Sequence, residues 1–466
     1  MHRRTLLGPL LGLALLAACS SDAAPPVGPV APAAHPSLAP TTTVGGRYLV
    51  LMKGTSVAAG FGARVRALGG TVEYTHAGAG FAVVSGLSPD GTASLRGSSD
   101  VARVDADVEV SPGPARPTAV PDVELAGASP ADPTTAAAFQ KQWDMRAIGA
   151  HLAWAAGHLG SPSVRVAILD SGIDYLYPDL NGLVDLSRSV SFVPTDDALV
   201  ASLFPTRLPI TDLNWHGTHI ASTVASHSNL VAGVTARTTL MAVKVLDRHK
   251  SGFISNFLRG VLFAADHDAD VLNMSLGGTA SKSQFAGYAH YVNRIFNYGY
   301  RRGVVIVVGA GNDALDLDHS ADLYVDYCDA PNVICVSATG PAAGGLSGPW
   351  TDVDAFASYS NFGRSGITVA APGGTVTGAG VLGACSQTSL DVANCDTGPK
   401  LLSAWGTSMA TPHVSGLAAL VVAQIGHGKP ALVRARILQS ADDLGLPGAD
   451  PYYGSGRINV ARAPGL

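Results

Sequence analysis

Three residues, far apart in the chain, could together form a nucleophilic relay. Asp170 closes an apolar run at 164–169 and is followed by Ser171-Gly172, a turn signal. A carboxylate at such a strand end stays ionised only if it is hydrogen-bonded, and an imidazole is a natural partner. His216 opens His216-Gly217-Thr218-His219 just before a helical stretch, and the glycine lets the ring stand clear of its own backbone. Ser408 lies in Gly406-Thr407-Ser408-Met409-Ala410-Thr411-Pro412-His413, at the start of an apolar helix. Pro412 is tolerated there because first-turn N–H groups lack intrahelical partners. Serine becomes a useful nucleophile only when a base takes its proton. His216 is placed to be that base and then the acid for a leaving amine, with Asp170 orienting the ring.

The elements around these residues indicate how they are held. Apolar strand candidates at 164–169, 240–246, 271–275, 304–308, 333–337 and 367–370 alternate with helix candidates at 218–226, 254–268, 284–301, 409–424 and 431–440. Short uninterrupted apolar strands between helices predict a buried parallel sheet covered on both faces, with its site at the carboxyl ends of the strands. The segment 46–111 reads βαββαβ: strands at 47–52, 71–75, 81–84 and 101–104, helices at 58–68 and 89–96. That order predicts a small ferredoxin-like sandwich. Pro- and Ala-rich stretches at 20–45 and 112–129 read as a tether and a linker, which leaves 130–466 for the larger domain.

Three signatures carry a family resemblance. "VAILDSGID", "HGTH" and "GTSMATPHVSG" resemble the active-site motifs of subtilisin-like serine proteases, in that family's chain order of Asp, His and Ser. With "AVKVLD", "NMSLGG" and "GSGRINVARA" the resemblance runs from roughly Pro130 to the end. It implies an α/β subtilisin-like fold and a serine endopeptidase working through an acyl-enzyme. It also implies that Asn312, in Gly309-Ala310-Gly311-Asn312, supplies an oxyanion donor beside the Ser408 N–H, where a turn residue is the plain alternative. Ser275, Leu276 and Gly277 would pair with the substrate backbone, and with Ala310 and Gly311 would line the first specificity pocket. No acidic residue stands at those positions, so apolar or aromatic residues are expected before the cut. His219 and His413 read as packed, hydrogen-bonded residues, and Asp174 as a turn or cap.

The resemblance makes 46–111 an inhibitory propeptide, cut off by the enzyme itself between about Glu109 and Gly127. The chemistry needs no cofactor. Asp132 in "ADP" and Asp179 in "YPDL" resemble ligands of a structural calcium ion, although the loop "SHSNLVAGV" is shorter than the family's calcium loop; solvated or capping aspartates are the other reading. An esterase would carry Gly-x-Ser-x-Gly around its nucleophile, which Ser408 lacks. A catalytically dead scaffold would lack one of the four groups, and all four are present.

Composition narrows the partners. With 14% charged residues and a net charge of −5, no basic surface for nucleic acid is implied. Protein or peptide substrates and the chain's own propeptide are the expected partners of a monomer. Residues 1–19 read as an export signal: Met1-His2-Arg3-Arg4, then a short apolar run. Its end, Leu16-Ala17-Ala18-Cys19, resembles a bacterial lipoprotein box in which Cys19 takes the lipid; an ordinary cleaved signal is the alternative. Either way the protein is expected outside the cytoplasm, secreted or on the cell envelope. The four remaining cysteines then suggest two disulfides, with Cys328–Cys335 and Cys385–Cys395 the simplest of three pairings.

Overall fold

The structure, a computed structural model, describes residues 43–111, 117–120, 129–277, 279–320, 322–325 and 327–465. The signal segment, Cys19 and most of both linkers lie outside the described residues.

The N-terminal unit runs β1 (Thr43–Met52), α1 (Phe61–Ala67), β2 (Thr71–His76), β3 (Phe81–Ser85), α2 (Pro89–Arg96) and β4 (Val101–Val110). Its strands are ordered β2-β3-β1-β4, the ferredoxin-like arrangement that the βαββαβ pattern predicts. Ser88 starts α2 by accepting the Gly91 N–H at 3.1 Å, with Pro89 at the first helical position. Alternation splits the sheet into two apolar faces. Val50, Met52, Ala82 and Val84 meet Phe61, Val65 and Leu95 in a local core. Leu49, Leu51, Phe81 and Val83 point the other way and join the core of the larger part. A sheet apolar on both faces needs cover on both, and its own two helices cover only one.

In the larger part, β5 (Thr118–Ala119) is followed by α3 (Trp143–Ala147), α4 (Ala150–Ala155), β6 (Arg165–Asp170), β7 (Val190–Ser191), α5 (Pro194–Leu203), α6 (His216–Val224), β8 (Thr239–Lys244), β9 (Gly252–Phe253) and α7 (Ile254–Asp266). Next come β10 (Val271–Met274), β11 (Thr279–Ser281), α8 (Lys282–Arg301), β12 (Val305–Gly309), β13 (Leu323–Val325), β14 (Val333–Thr339), β15 (Val369–Pro372), β16 (Val381–Cys385), β17 (Lys400–Ala404), α9 (Thr407–Ile425) and α10 (Pro430–Ser440). The central sheet has the order β15-β14-β12-β10-β6-β8-β7, and its pairings are parallel. Its apolar strands divide between two cores. Val166, Ile168, Val305 and Val307 face α6 and α9, while Ala167, Leu169, Ile306 and Val308 face α7 and α8. Both expected disulfides form, Cys328–Cys335 and Cys385–Cys395.

The N-terminal sheet lies on α7 and α8. Tyr288 and Tyr291 of α8 donate to the backbone carbonyls of Ala106 and Leu49 at 2.6 and 3.1 Å. His76 bonds Asp266 at 2.8 Å.

Candidate active site

Strand ends and helix starts bring the reacting groups to one edge of the central sheet. Asp170 is the last residue of β6, Ser275 follows β10 directly, and Ala310 follows β12. His216 opens α6 and Ser408 is the second residue of α9; these two helices pack against each other.

The Asp170 carboxylate is buried and accepts the His216 Nδ1–H at 2.8 and 3.0 Å on its two oxygens, and the Ser171 N–H at 2.8 Å. A charge in such a place survives through these donors. The close approach requires Gly217: a β-carbon there would sit 2.1 Å from the Gly172 carbonyl oxygen. Sequence reasoning missed what stands behind the pair. Asp212, fully buried, accepts from the Ser171 hydroxyl at 2.9 Å, the Asn214 N–H at 2.9 Å, and the Thr218 N–H and hydroxyl at 3.0 and 2.6 Å. Burial pushes its carboxyl up, against the pull of Thr218 and of the Lys244 charge. Ser171 in turn accepts the Gly217 N–H at 3.0 Å, so one carboxylate ties the Asp170 turn to the start of the His216 helix. The signal was the Asp-x-Asn spacing ahead of the histidine, a common turn pattern without meaning by itself.

Ser408 is partly exposed. Its hydroxyl donates to the Ser275 carbonyl at 3.1 Å, and the Ser275 hydroxyl donates back to the Ser408 carbonyl at 2.9 Å. No hydrogen bond joins Ser408 to His216 among the described residues. Free sites often keep such catalytic contacts long until a substrate arrives. Asn273 and Ser415, also missed, steady this corner: Asn273 Nδ2 donates to Ser275 Oγ at 2.9 Å, and the Ser415 hydroxyl to Asn273 Oδ1 at 2.9 Å.

Asn312 spends its oxygen on the start of α9, accepting the Thr407 N–H at 2.8 Å and the Thr407 hydroxyl at 3.1 Å. That leaves its amide nitrogen to donate elsewhere. A β-carbon on Gly406 would meet Asn312 Nδ2 at 3.6 Å and the Ser408 nitrogen at 3.8 Å, so both donors border one small space. The buried Asn361 shapes the loop, donating to the Ala310 carbonyl at 2.8 Å and accepting the N–H groups of Asp313 and Leu315 at 3.0 Å each. Leu276 and Ala310 are buried, and Gly277 and Gly311 hold φ of +146° and +97° that favour glycine.

Two extended segments border the second linker and are paired with the larger part. Glu109 and Val110 at the end of β4 pair antiparallel with Phe253 and Gly252, and the Ser251 hydroxyl bonds that of Ser111 at 3.1 Å. On the other flank Thr118 and Ala119 pair with Ser403 and Leu402.

The remaining residues take the plainer roles. His219 is buried against Trp215 and bonds the Val381 carbonyl at 3.2 Å; burial lowers its imidazole to about 3. His413 bridges the Met409 carbonyl and Asp144 at 2.9 and 3.0 Å. Asp174 is buried, bonded to Arg207 at 2.6 Å and to the Gln387 N–H at 2.9 Å. Asp132 and Asp179 do not fit a shared cation. Asp132 is exposed and caps Thr134 at 3.1 Å, while both Asp179 oxygens accept the Leu230 N–H and one also takes Ser226 and Asn229 at 2.8 and 2.6 Å. Among the described residues no three His, Cys, Asp or Glu side chains are grouped to hold a metal ion.

A buried carboxylate–imidazole pair, a serine at a helix start and a bordering amide thus lie at one edge of a parallel α/β sheet. The model of the subtilase family matches residues 161–456, and the chain belongs to that family, which makes it by class a serine-type endopeptidase. It is 32% identical to the thermophilic serine proteinase of Bacillus sp. (strain AK1) over 65% of this chain and 62% of that one. It is 33% identical to subtilisin of Bacillus pumilus over 66% of this chain and 92% of that one, and 31% identical to thermitase of Thermoactinomyces vulgaris over 69% and 95%. Among solved structures, the epidermin leader peptide processing serine protease of Staphylococcus aureus shares the fold with a TM-score of 0.68 at 19% identity, covering 90% of this chain and 98% of that one.

Proposed function

We propose that this chain is an exported endopeptidase that cuts peptide bonds with Asp170, His216 and Ser408. The buried bond from His216 Nδ1 to Asp170 carries the reading, because it leaves Nε2 as the base. Ser408 Oγ attacks the substrate carbonyl carbon as its proton passes to His216 Nε2; a turn about one side-chain bond redirects the hydroxyl from Ser275. The Ser408 N–H, at the positive end of α9, and Asn312 Nδ2 donate to the oxyanion. His216 then protonates the leaving amine, and water repeats the steps on the acyl-enzyme. Apolar side chains are favoured in the pocket beside Leu276 and Ala310. No metal ion takes part in this proposal.

The N-terminal unit acts as an inhibitor built into the precursor. Its tail occupies the edge strand at Gly252–Phe253 as a substrate would, a strand addition that needs little sequence choice. With Glu109–Val110 and Thr118–Ala119 both held in strand pairings, self-cleavage falls between Ser111 and Thr118. Export follows from the first residues and the disulfides, and Cys19 carries a lipid on the precursor. The test is casein digestion and labelling by a serine-directed fluorophosphonate. The purified protein should do both, and Ser408→Ala should do neither while staying folded and uncut. Unchanged digestion by that variant would defeat the assignment. Sequencing of the mature N-terminus checks the cleavage interval.

A further inference from the structure

Lys250 is buried beside the candidate site, and no step of the chemistry above uses it. It is 8% exposed, and its Nζ stands 5.9 Å from the centre of the Trp215 ring, which packs edge-on against His216. It makes no hydrogen bond or ion pair through its ammonium with any described residue. The carboxylates that face it are engaged elsewhere. Asp170 holds His216, and the exposed Asp391 accepts from Asn214 Nδ2 at 3.2 Å. Burial pushes the ammonium below its ordinary value, opposed by the charges of Asp170 and Asp391.

The turn that carries Lys250 is tightly held. Asp247 donates its N–H to the Ser251 carbonyl and accepts the Lys250 N–H on its own carbonyl, at 2.8 and 2.9 Å. One Asp247 carboxylate oxygen takes the N–H groups of His249 and Ser251 at 2.8 Å each. Asn214 Nδ2 also donates to the Arg248 carbonyl at 2.9 Å, fastening the turn to the segment leading into His216. Lys250 itself sits at φ +63°, a left-handed value that a lysine adopts only when its surroundings impose it.

The register of the tail locates this cation along a bound peptide. Glu109 faces Phe253, Val110 faces Gly252, and Ser111 touches Ser251. Lys250 is the next residue, in the turn that leads into this edge, and its ammonium lies toward Trp215. An unpaired ammonium in a buried position is costly, and a carboxylate delivered there offsets that cost. Building on the peptidase reading, we propose that Lys250 is a specificity-determining residue that selects an acidic side chain in the substrate, on the acyl side of the cut, one residue nearer the scissile bond than the residue that faces Ser251. The selection is separate from the apolar pocket, which receives a different side chain.

The experiment uses the purified active protein with fluorogenic peptides carrying Glu, Gln or Lys in turn at each of four positions before the cut. At one position kcat/KM should be higher for Glu than for Gln by roughly tenfold, and lowest for Lys. Lys250→Arg should keep that ratio, Lys250→Gln should bring it to about one, and Lys250→Glu should reverse it. Cleavage with no charge preference at any position overturns the proposal while leaving the peptidase reading intact. So does a preference that survives in Lys250→Gln, or a variant that changes only the pH profile equally for all peptides. Failure to cut any peptide overturns the peptidase reading and this proposal with it.

Discussion

The carboxylate of Asp107, in the N-terminal unit, accepts the Ser255 N–H at 3.0 Å and the Ser255 hydroxyl at 2.6 Å, so a helix of the larger part has its cap on another part of the chain. Ser255 is the second residue of α7, whose preceding residue, Phe253, offers no side-chain oxygen. Asp107 is buried, and burial pushes its carboxyl up against the pull of Arg47, bonded at 2.6 Å, and of Ser255.

Removing that cap should loosen the N-terminal unit. Asp107→Ala, made in a Ser408→Ala chain so that nothing is cut, should speed hydrogen exchange in the first turn of α7 by about tenfold. A lost cap costs roughly 1 kcal/mol, and the half-buried Arg47 left without its carboxylate adds to it. Unchanged exchange at Ser255 and Asn256 would argue that the unit contributes nothing to that helix.

Asn312→Ala should lower kcat by about 10² to 10³ with little change in KM, the size established for the equivalent asparagine of subtilisin. Its oxygen also accepts from Thr407, so part of the loss could arise from a shifted α9. Asn312→Asp separates the two effects, because it keeps that acceptor and removes the donor. Steady-state kinetics on one peptide suffices, and a rise in KM alone would move Asn312 out of the oxyanion role.

Acid should destabilise the fold through His219. The folded imidazole is lowered to about 3 by burial, with the His216 charge adding to it, against an ordinary 6.5. The unfolded chain therefore binds a proton that the folded one refuses. Stability from this residue is full above about pH 6.5 and falls as pH drops toward 3, by roughly 5 kcal/mol at the lower end. Asp179 works oppositely: burial raises it to about 6, so its contribution is greatest in acid and declines as pH rises toward 6. Because the two oppose each other, the readout is a difference: between pH 7 and 4 the melting temperature of the Ser408→Ala chain carrying His219→Gln should shift less toward destabilisation than that of the Ser408→Ala chain itself.

The Cys385–Cys395 disulfide closes a loop of sequence separation 10 whose Leu390 N–H bonds the Leu213 carbonyl at 2.8 Å, next to the segment that holds His216. Replacing both cysteines by serine should cost about 3 kcal/mol in unfolding free energy. It should also lower kcat more than it raises KM, since Asp391 of that loop steadies Asn214. An unaltered melting curve would mean that packing alone holds the loop.

Much of the site was legible because each reacting residue sits at a break in a period. Asp170 ends an apolar strand, and His216 and Ser408 start apolar helices. The βαββαβ order of the first unit was legible for the same reason, its strands and helices differing cleanly in period. The short strands β16 and β17 and the helix α5 left weaker marks. The first two are brief runs amid turn residues, and α5 is amphipathic only slightly, with its Asp196 buried.

The sequence by itself determined the chemical types, their order, and the sheet edge to which they belong, because side-chain period and strand-end turns are local properties. Tertiary structure alone decided that Asp212 stands behind the histidine, that Asn361 sets the loop before Asn312, and that Asp107 caps a distant helix. Those partners lie 2 to 148 residues from the groups they hold. A buried polar side chain takes whichever donor the fold brings within 3 Å, and no spacing along the chain announces which one that will be.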